Sequence, residues 1–300
     1  MDLRQMEYAV AIADELSFTR VAERYHIAQS GLSHQINQLE REVGARLFNR
    51  TSRRVELTAA GEVFVACARG VLRSVQEASA EIAALGGRVH GRLRVGSPMI
   101  TASDLDVLGL LREFQETCPE VELLMSDVGG VTAVSHLLTG ELDIAVLGLH
   151  EHQLPAELSH HLLRLQPLVI VVGRRHPLRG TGVAHLAQLA DERFLECSQG
   201  TSLRLQVDAA FDRARTRRRG TCALQSAADL TSLAVEGIGV TVVPRPVANA
   251  VVPADLADCV LHIDDPQALI PLALSCRAPA PASPAAQAFL RLALARLGPR

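Results

Sequence analysis

Lysine is absent from this 300-residue chain, and all 30 basic residues are arginine. A GC-biased coding composition accounts for that more simply than selection for guanidinium chemistry. Long apolar runs are missing too. Each candidate stops at Gly, Pro or a charge before the roughly 18–20 residues needed to cross a bilayer, so no membrane association is expected. The N-terminus, MDLRQMEYAVAIADELS, has acids inside its apolar stretch and no cleavage pattern. That argues against a secretory signal and predicts a cytoplasmic protein. Among Cys67, Cys118, Cys197, Cys222, Cys259 and Cys276 there is no CxxC pair and no metal-ligand spacing. Reduced, largely buried thiols are expected, with no metal and no cofactor. No GxSxG or comparable nucleophile motif occurs, which speaks against an enzyme. Gly237-Ile238-Gly239 follows a helical stretch and precedes a β-type run, the reverse of the order a dinucleotide site needs. The net charge of −3 gives no global electrostatic reason to expect nucleic acid.

Hydrophobic residues make up 48% and charged residues 21%, an ordinary globular balance, and the length favours two or more compact units. The pattern changes at Gly86-Gly87, with a second break at Gly91. Before it the pattern is mainly helical. Leu3, Met6, Val10 and Ala13 share a face of the first helix. Ser17 and Thr19 offer caps for a second helix through Tyr25, and His26-Ile27 makes a tight turn. A third helix from about Ala28 to Val43 would bury Leu32, Ile36, Leu39 and Val43. Phe48 to Leu57 reads as a short hairpin with Thr51-Ser52-Arg53 at its tip. Thr58 can cap a long fourth helix in which Phe64, Ala68, Val71, Val75, Ala78, Ile82 and Leu85 recur at heptad spacing. The N-terminal part has little left to cover so long a seam, so a helix-to-helix dimer contact is expected.

After Gly91, β-type runs at Leu93–Gly96, Val121–Ser126, Leu142–Leu147, Leu168–Val172, Phe194–Cys197, Cys222–Gln225, Val240–Val243 and Leu272–Ser275 are interleaved with helical stretches. The helices fall at about 102–117, 131–139, 202–214, 227–236 and 284–297. That alternation predicts an α/β fold of two modest, mostly parallel sheets with helices on both faces.

Helices two and three, joined by a tight turn with small Ala22 at the crossing, form a helix-turn-helix. Its recognition helix would present Gln29, Ser30, Ser33, His34, Asn37 and Gln38 opposite the buried face. These hydrogen-bonding side chains carry almost no charge and suit base edges in a major groove. Between Arg46 and Arg54 there are four arginines and no acid. On the hairpin they form a wing from which Arg50, Arg53 and Arg54 can contact phosphates and displace counterions.

The run LRQMEYAVAIADELSFTRVAERYHIAQSGLSHQINQLEREVGARLFNRTSRRVELTAAGE resembles the DNA-binding region of LysR-type transcriptional regulators, nearly without gaps. GELDIAVLG (140–148), RHPL (175–178) and EGIGVTVVPR (236–245) resemble further signposts of that family. Two departures from it matter. Ser30-Gly31 stands where the family usually has Pro and a small residue, which loosens the start of the recognition helix. His34 replaces a common Arg and removes a fixed charge.

The resemblance implies a winged helix-turn-helix over residues 1–58, then a linker and dimerisation helix with a hinge over 59–90. An effector-binding region over 91–300 follows. It would have two α/β subdomains like a periplasmic-binding-protein fold, I at about 91–163 and 267–300, II at about 164–266. Such a regulator is a homodimer or homotetramer on a pseudo-palindromic double-stranded operator, with a small-molecule effector held between the subdomains. Thr101, Ala102 and Ser103 would form one wall, with Gly129, Gly130 and Thr132 facing them and Ser198, Gly200 and Thr201 contributed by the other subdomain. Helix N-termini with hydroxyls and glycines favour anions, so a small carboxylate is the expected ligand.

Two signals remain outside that scheme. His150, Glu151, His152, His160 and His161 could form a metal-sensing cluster, although a solvated loop is the simpler account. Cys197 lies beside the expected cleft, but in peroxide-sensing relatives the reactive cysteine falls slightly later, near Ser202. The alternatives to an effector-responsive regulator are an α/β enzyme with an accessory helical bundle, and a regulator with no diffusible effector.

Overall fold

The computed structural model describes residues 1–50, 54–84, 89–97 and 105–298. The chain divides into two compact units, Met1–Gly86 and Gly87–Arg300.

In the first unit α1 (Leu3–Glu15) starts at a capping box in which the Asp2 carboxylate accepts from Gln5 N–H and the Gln5 side chain accepts from Asp2 N–H. Its buried residues are Gln5, Met6, Tyr8, Ala9, Ala11 and Ile12. The expected face is therefore rotated. Leu3 is exposed, while Tyr8, stacked edge-on against Tyr25 at 5.0 Å, carries the packing. Ser17 caps α2 (Phe18–Arg24), whereas Thr19 lies inside it. Helix α3 (Gln29–Val43) buries Leu32, Ile36 and Leu39 completely, each stabilising by roughly 1.5–3 kcal/mol. Val43, expected on that face, is exposed at the helix end. Strands β1 (Phe48–Arg50) and β2 (Val55–Leu57) pair antiparallel as a hairpin. Its expected tip, Thr51 to Arg53, lies outside the described residues.

The start of α3 has no side-chain cap, because Ala28 occupies the cap position. A Cβ added at Gly31 meets nothing within 4 Å. Gly31→Ala is therefore expected to stabilise the first unit by roughly 0.5–1 kcal/mol through helix propensity. Calorimetric unfolding checks this, and a lowered midpoint refutes it.

Thr58 caps α4 (Ala59–Ala84), its Oγ1 accepting from Gly61 N–H at 2.9 Å. The heptad seam splits along this helix. Phe64 packs on the core of its own unit and Ala68 is buried, but Val71 and Val75 are each 42% exposed and Ile82 is 70% exposed. Leu85 lies outside the described residues.

The second unit is built on β3 (Gly91–Gly96), parallel to both β4 (Val121–Ser126) and β5 (Ile144–Leu147). Two long strands follow from distant parts of the chain. They are β6 (Leu158–Val171) and β12 (Leu269–Arg277), antiparallel to each other, with β12 also antiparallel to β5. The far end of β6 pairs antiparallel with both β10 (Thr241–Pro244) and β11 (Val260–Ile263), and β11 runs parallel to β7 (Val183–Ala184). A separate parallel pair consists of β8 (Arg193–Cys197) and β9 (Arg219–Leu224). The expectation of two mostly parallel sheets is corrected by this topology. Because β6 and β12 run through both halves, one mixed sheet of eight strands results among the described residues. The first ten residues of β6, LSHHLLRLQP, do not read as strand in the sequence, since paired histidines and a proline obscure the alternation.

Helices α5 (Val107–Thr117) and α10 (Pro284–Leu297) pack on one end of the sheet, around Phe114 and Phe289. Helices α7 (Ser202–Arg213), α8 (Ala227–Val235) and α9 (Arg245–Val251) surround a second core that includes Phe194 and Phe211. Between them α6 (Gly130–Thr139) covers β5 through Ala133 and Leu137. Among the described residues no helix is long and apolar enough to cross a membrane.

Candidate nucleic-acid interface and effector cleft

Gln29, Ser30, His34, Asn37 and Gln38 are exposed on α3 and Ser33 is half-buried, opposite the fully buried Leu32, Ile36 and Leu39. The side chains of Gln29, Ser30, Ser33 and His34 have no hydrogen bond to the rest of the described chain. Gln38 donates to Glu42 Oε1 at 3.1 Å. Asn37 is tied to the hairpin, because Arg50 Nη2 donates to its Oδ1 at 3.2 Å. The Arg50 guanidinium also lies 4.0 Å from the Phe18 ring centroid, and its burial lowers its pKa from the ordinary value. Arg50 thus braces the wing against α2 and α3. Arg54 is exposed and ion-paired with Glu56 at 2.9 Å, and Arg53 lies outside the described residues.

Sequence reasoning missed the residue that holds the wing in place. The Glu40 carboxylate accepts from Leu47 N–H at 2.8 Å and Phe48 N–H at 3.1 Å, tying the hairpin's first strand to α3. An acid one helical turn beyond the apolar Ile36 was the available signal. Gln5 adds a contact from α1, its Nε2 donating to Gln35 Oε1 at 3.2 Å.

In the second unit the structure brings several of the expected cleft residues together. Gly130 opens α6 with φ +59° and abuts Gly200, whose φ is +81°. Val131 N–H donates to Gly200 O at 3.0 Å. Thr201 caps α7, its Oγ1 accepting from Arg204 N–H at 3.3 Å and donating to Ser198 O at 2.8 Å. Its hydroxyl is thereby engaged in the cap. Thr132 is exposed on α6. Thr101, Ala102 and Ser103 lie outside the described residues, and α5, expected from about 102, starts at Val107 behind an Asp106 cap.

Two polar residues outside the expected cleft set stand beside this contact at the start of α7, Ser202 and Gln206, both buried. Gly148 N–H donates to Ser202 Oγ at 3.3 Å, and Gln206 Nε2 donates to Gly148 O at 3.0 Å and to Gln153 Oε1 at 2.9 Å. The GELDIAVLG run thus ends where α7 begins.

The histidine segment is not one loop. His160 and His161 lie on β6, while His150 precedes and His152 sits within a short 3-10 turn (Glu151–Gln153), their rings stacked 5.5 Å apart. Burial lowers the pKa of both His150 and His160, with neighbouring histidines adding to the effect. Among the described residues no group of three or more His, Cys, Asp or Glu side chains could hold a metal ion. Cys197 is buried and its thiol is pushed up to about 11, first by desolvation, so it stays protonated and unreactive near neutral pH.

The chain matches two family profiles, "Bacterial regulatory helix-turn-helix protein, lysR family" over residues 3–62 and "LysR substrate binding domain" over 86–298. It is 32% identical to the nitrogen assimilation regulatory protein nac of Escherichia coli K12, over 97% of this chain and 94% of that one. The DNA-binding transcriptional dual regulator OxyR of the same organism is 30% identical, over 88% of this chain and 84% of that one. Among solved structures, a full-length OxyR variant from Pseudomonas aeruginosa superposes with a TM-score of 0.73 at 26% identity, covering 98% of this chain and 93% of that one. Full-length CbnR complexed with its target DNA shares the fold, with a TM-score of 0.70 at 23% identity and 99% of each chain covered.

Proposed function

The chain belongs to the LysR family of bacterial DNA-binding transcriptional regulators, and from that premise we propose how it reads DNA and what it senses. Helix α3 enters the major groove, where Gln29, Ser30, Ser33 and His34 read base edges and Asn37, Gln38, Arg53 and Arg54 position the backbone. One observation carries this reading. A polar face with no internal hydrogen bonds on Gln29 to His34 stands on a helix whose opposite side is locked into the core. The exposed stretch of α4 at Val71, Val75, Ala78 and Ile82 supports a dimer seam, and a two-fold protein calls for a pseudo-palindromic operator.

Gln29→Ala and Ser33→Ala are each expected to cost roughly 1–3 kcal/mol on a specific site and to relax preference at single base positions. Arg54→Ala should weaken binding on all sequences alike and lower the salt slope by about one. Selection of bound fragments from a random library separates the two effects. An unchanged preference in Gln29→Ala would show that another element reads the bases.

For the effector we propose a small carboxylate or similar anion at the junction of α6 and α7. The N-termini of both helices converge there at Gly130 and Gly200, and helix N-termini attract negative charge. Binding would shift the angle between the two cores, hence the spacing of paired DNA-binding units and the bend of the operator. A panel of small carboxylates in thermal unfolding tests this. A ligand at a hundred times its Kd should add about 2.7 kcal/mol, and a panel without any shift favours a regulator that has no diffusible effector.

A further inference from the structure

We propose that Arg50 is a positioning residue that holds the Asn37 amide with its N–H2 group turned away from the hairpin, as a donor to a DNA phosphate. This role rests on the reading of α3 as the DNA-facing helix and specifies what one residue of that face can offer.

Arg50 ends β1, and Asn37 lies on the exposed side of α3. Arg50 Nη2 donates to Asn37 Oδ1 at 3.2 Å. The chemistry of the pair fixes which way the amide faces. A guanidinium carries only donors, so the Asn37 atom that meets it is the oxygen and not the nitrogen. The guanidinium is itself held, because it lies 4.0 Å from the ring centroid of the buried Phe18. Its strand is fixed as well, since the Glu40 carboxylate accepts from Leu47 and Phe48 N–H.

Asparagine on a recognition helix ordinarily suits adenine, whose edge needs an acceptor and a donor side by side. With Oδ1 committed to Arg50, Asn37 offers only its Nδ2 donors, which bond nothing else among the described residues. The surrounding charge points the same way. Arg41 Nε donates to the Asn37 carbonyl at 3.2 Å, so a second guanidinium flanks this residue. Cations on either side of a donor-only amide favour an anionic oxygen, and a phosphate supplies one. Arg50, with one face on Phe18 and Nη2 spent on Asn37, serves that contact through Asn37.

The test is titration of the full chain with two duplexes, one carrying the sequence that wild type selects from a random library and one unrelated. Asn37→Ala and Arg50→Met are each expected to weaken binding about tenfold on both duplexes, and the double variant about tenfold as well. A general loosening of the wing would cost Arg50→Met the same whether Asn or Ala stood at position 37. Asn37→Asp keeps an oxygen for Arg50 but replaces the donors by a charged acceptor, and should lose about a hundredfold. In the free protein, nuclear magnetic relaxation of the Asn37 side-chain amide should show it rigid in wild type and mobile in Arg50→Met. A mobile amide in wild type overturns the proposal, as does wild-type affinity in Asn37→Asp. Losses that multiply to about a hundredfold in the double variant also overturn it, because Arg50 then contacts DNA by itself. If Asn37→Ala changes base preference at one position, the donors reach a guanine edge and the phosphate assignment falls. Gln29→Ala is the reference. Wild-type behaviour in it and in every Asn37 and Arg50 variant removes α3 from the DNA, whereas an effect of Gln29→Ala alone strikes only the Arg50–Asn37 role.

Discussion

Val75→Glu is expected to turn the protein into monomers and to lower affinity for a paired-half-site operator by about a hundred- to ten-thousandfold. The size of that loss follows from symmetry. Val75 lies mid-seam on α4 with 42% of its surface exposed in the single chain, and a two-fold contact would bury the new carboxylate twice. An unpaired charge in an apolar interface costs several kcal/mol, more than a seam of small apolar side chains returns. Once the chains separate, each half-site is bound alone, and the advantage of binding the second half-site intramolecularly disappears. Light scattering reads the assembly and titration of a two-half-site duplex reads the affinity. Val63→Glu is the control, since Val63 is 67% exposed on the same helix but off the heptad positions. If Val75→Glu keeps the wild-type size while Val63→Glu changes it, the seam has been placed on the wrong face.

Arg218→Met is expected to destabilise the second unit by about 2–3 kcal/mol, below the cost of a fully uncompensated buried charge because Arg204 still faces Glu196. The Arg218 side chain is only 9% exposed, and its Nε donates to Glu196 Oε1 at 2.8 Å while Nη2 pairs with Asp208. Its guanidinium lies 4.7 Å from the Phe211 ring centroid and 5.2 Å from that of Phe194. Arg204 closes the network, reaching Glu196 at 2.5 Å and Asp208 at 2.9 Å. Removing Arg218 leaves Glu196, 13% exposed, with one cation where it had two, and the penalty of that buried charge dominates. The partly exposed Asp208 adds little because water screens it. Calorimetry should show the melting transition of this unit falling by on the order of 10 °C. Arg218→Lys should lose part of that amount, since lysine keeps the charge without the planar fork. A Met variant as stable as wild type would mean that the ion network offsets only its own desolvation. Arg204 sits in the first turn of α7, so the same substitution should also loosen the Gly130–Gly200 contact.

Local rules brought the first unit close to its observed form. Ser17 and Thr58 were recognisable as caps because a hydroxyl before a periodic stretch satisfies orphan N–H groups wherever it occurs. Leu32, Ile36 and Leu39 were recognisable because 3.6-residue spacing with polar neighbours has a single amphipathic solution. The reading of α1 was rotated for the same reason in reverse. An alanine-rich helix has a broad apolar surface, and only the position of Tyr25 decides that Tyr8 and Ile12, not Leu3, face inward. Glu40 was passed over as one more acid, since its role depends on where the hairpin returns.

The residue pattern by itself was sufficient for a winged helix-turn-helix, a long fourth helix and an α/β region behind it, all read from local periodicity. It could not decide the strand directions around β6 and β12, nor that both run through two cores. It also could not bring Gly130 onto Gly200, far along the chain, or set Ser202 and Gln206 beneath Gly148. Such contacts carry no period in the sequence. They follow from the order in which strands join the sheet and from the entropy of closing long loops, which only the complete packing of both cores repays.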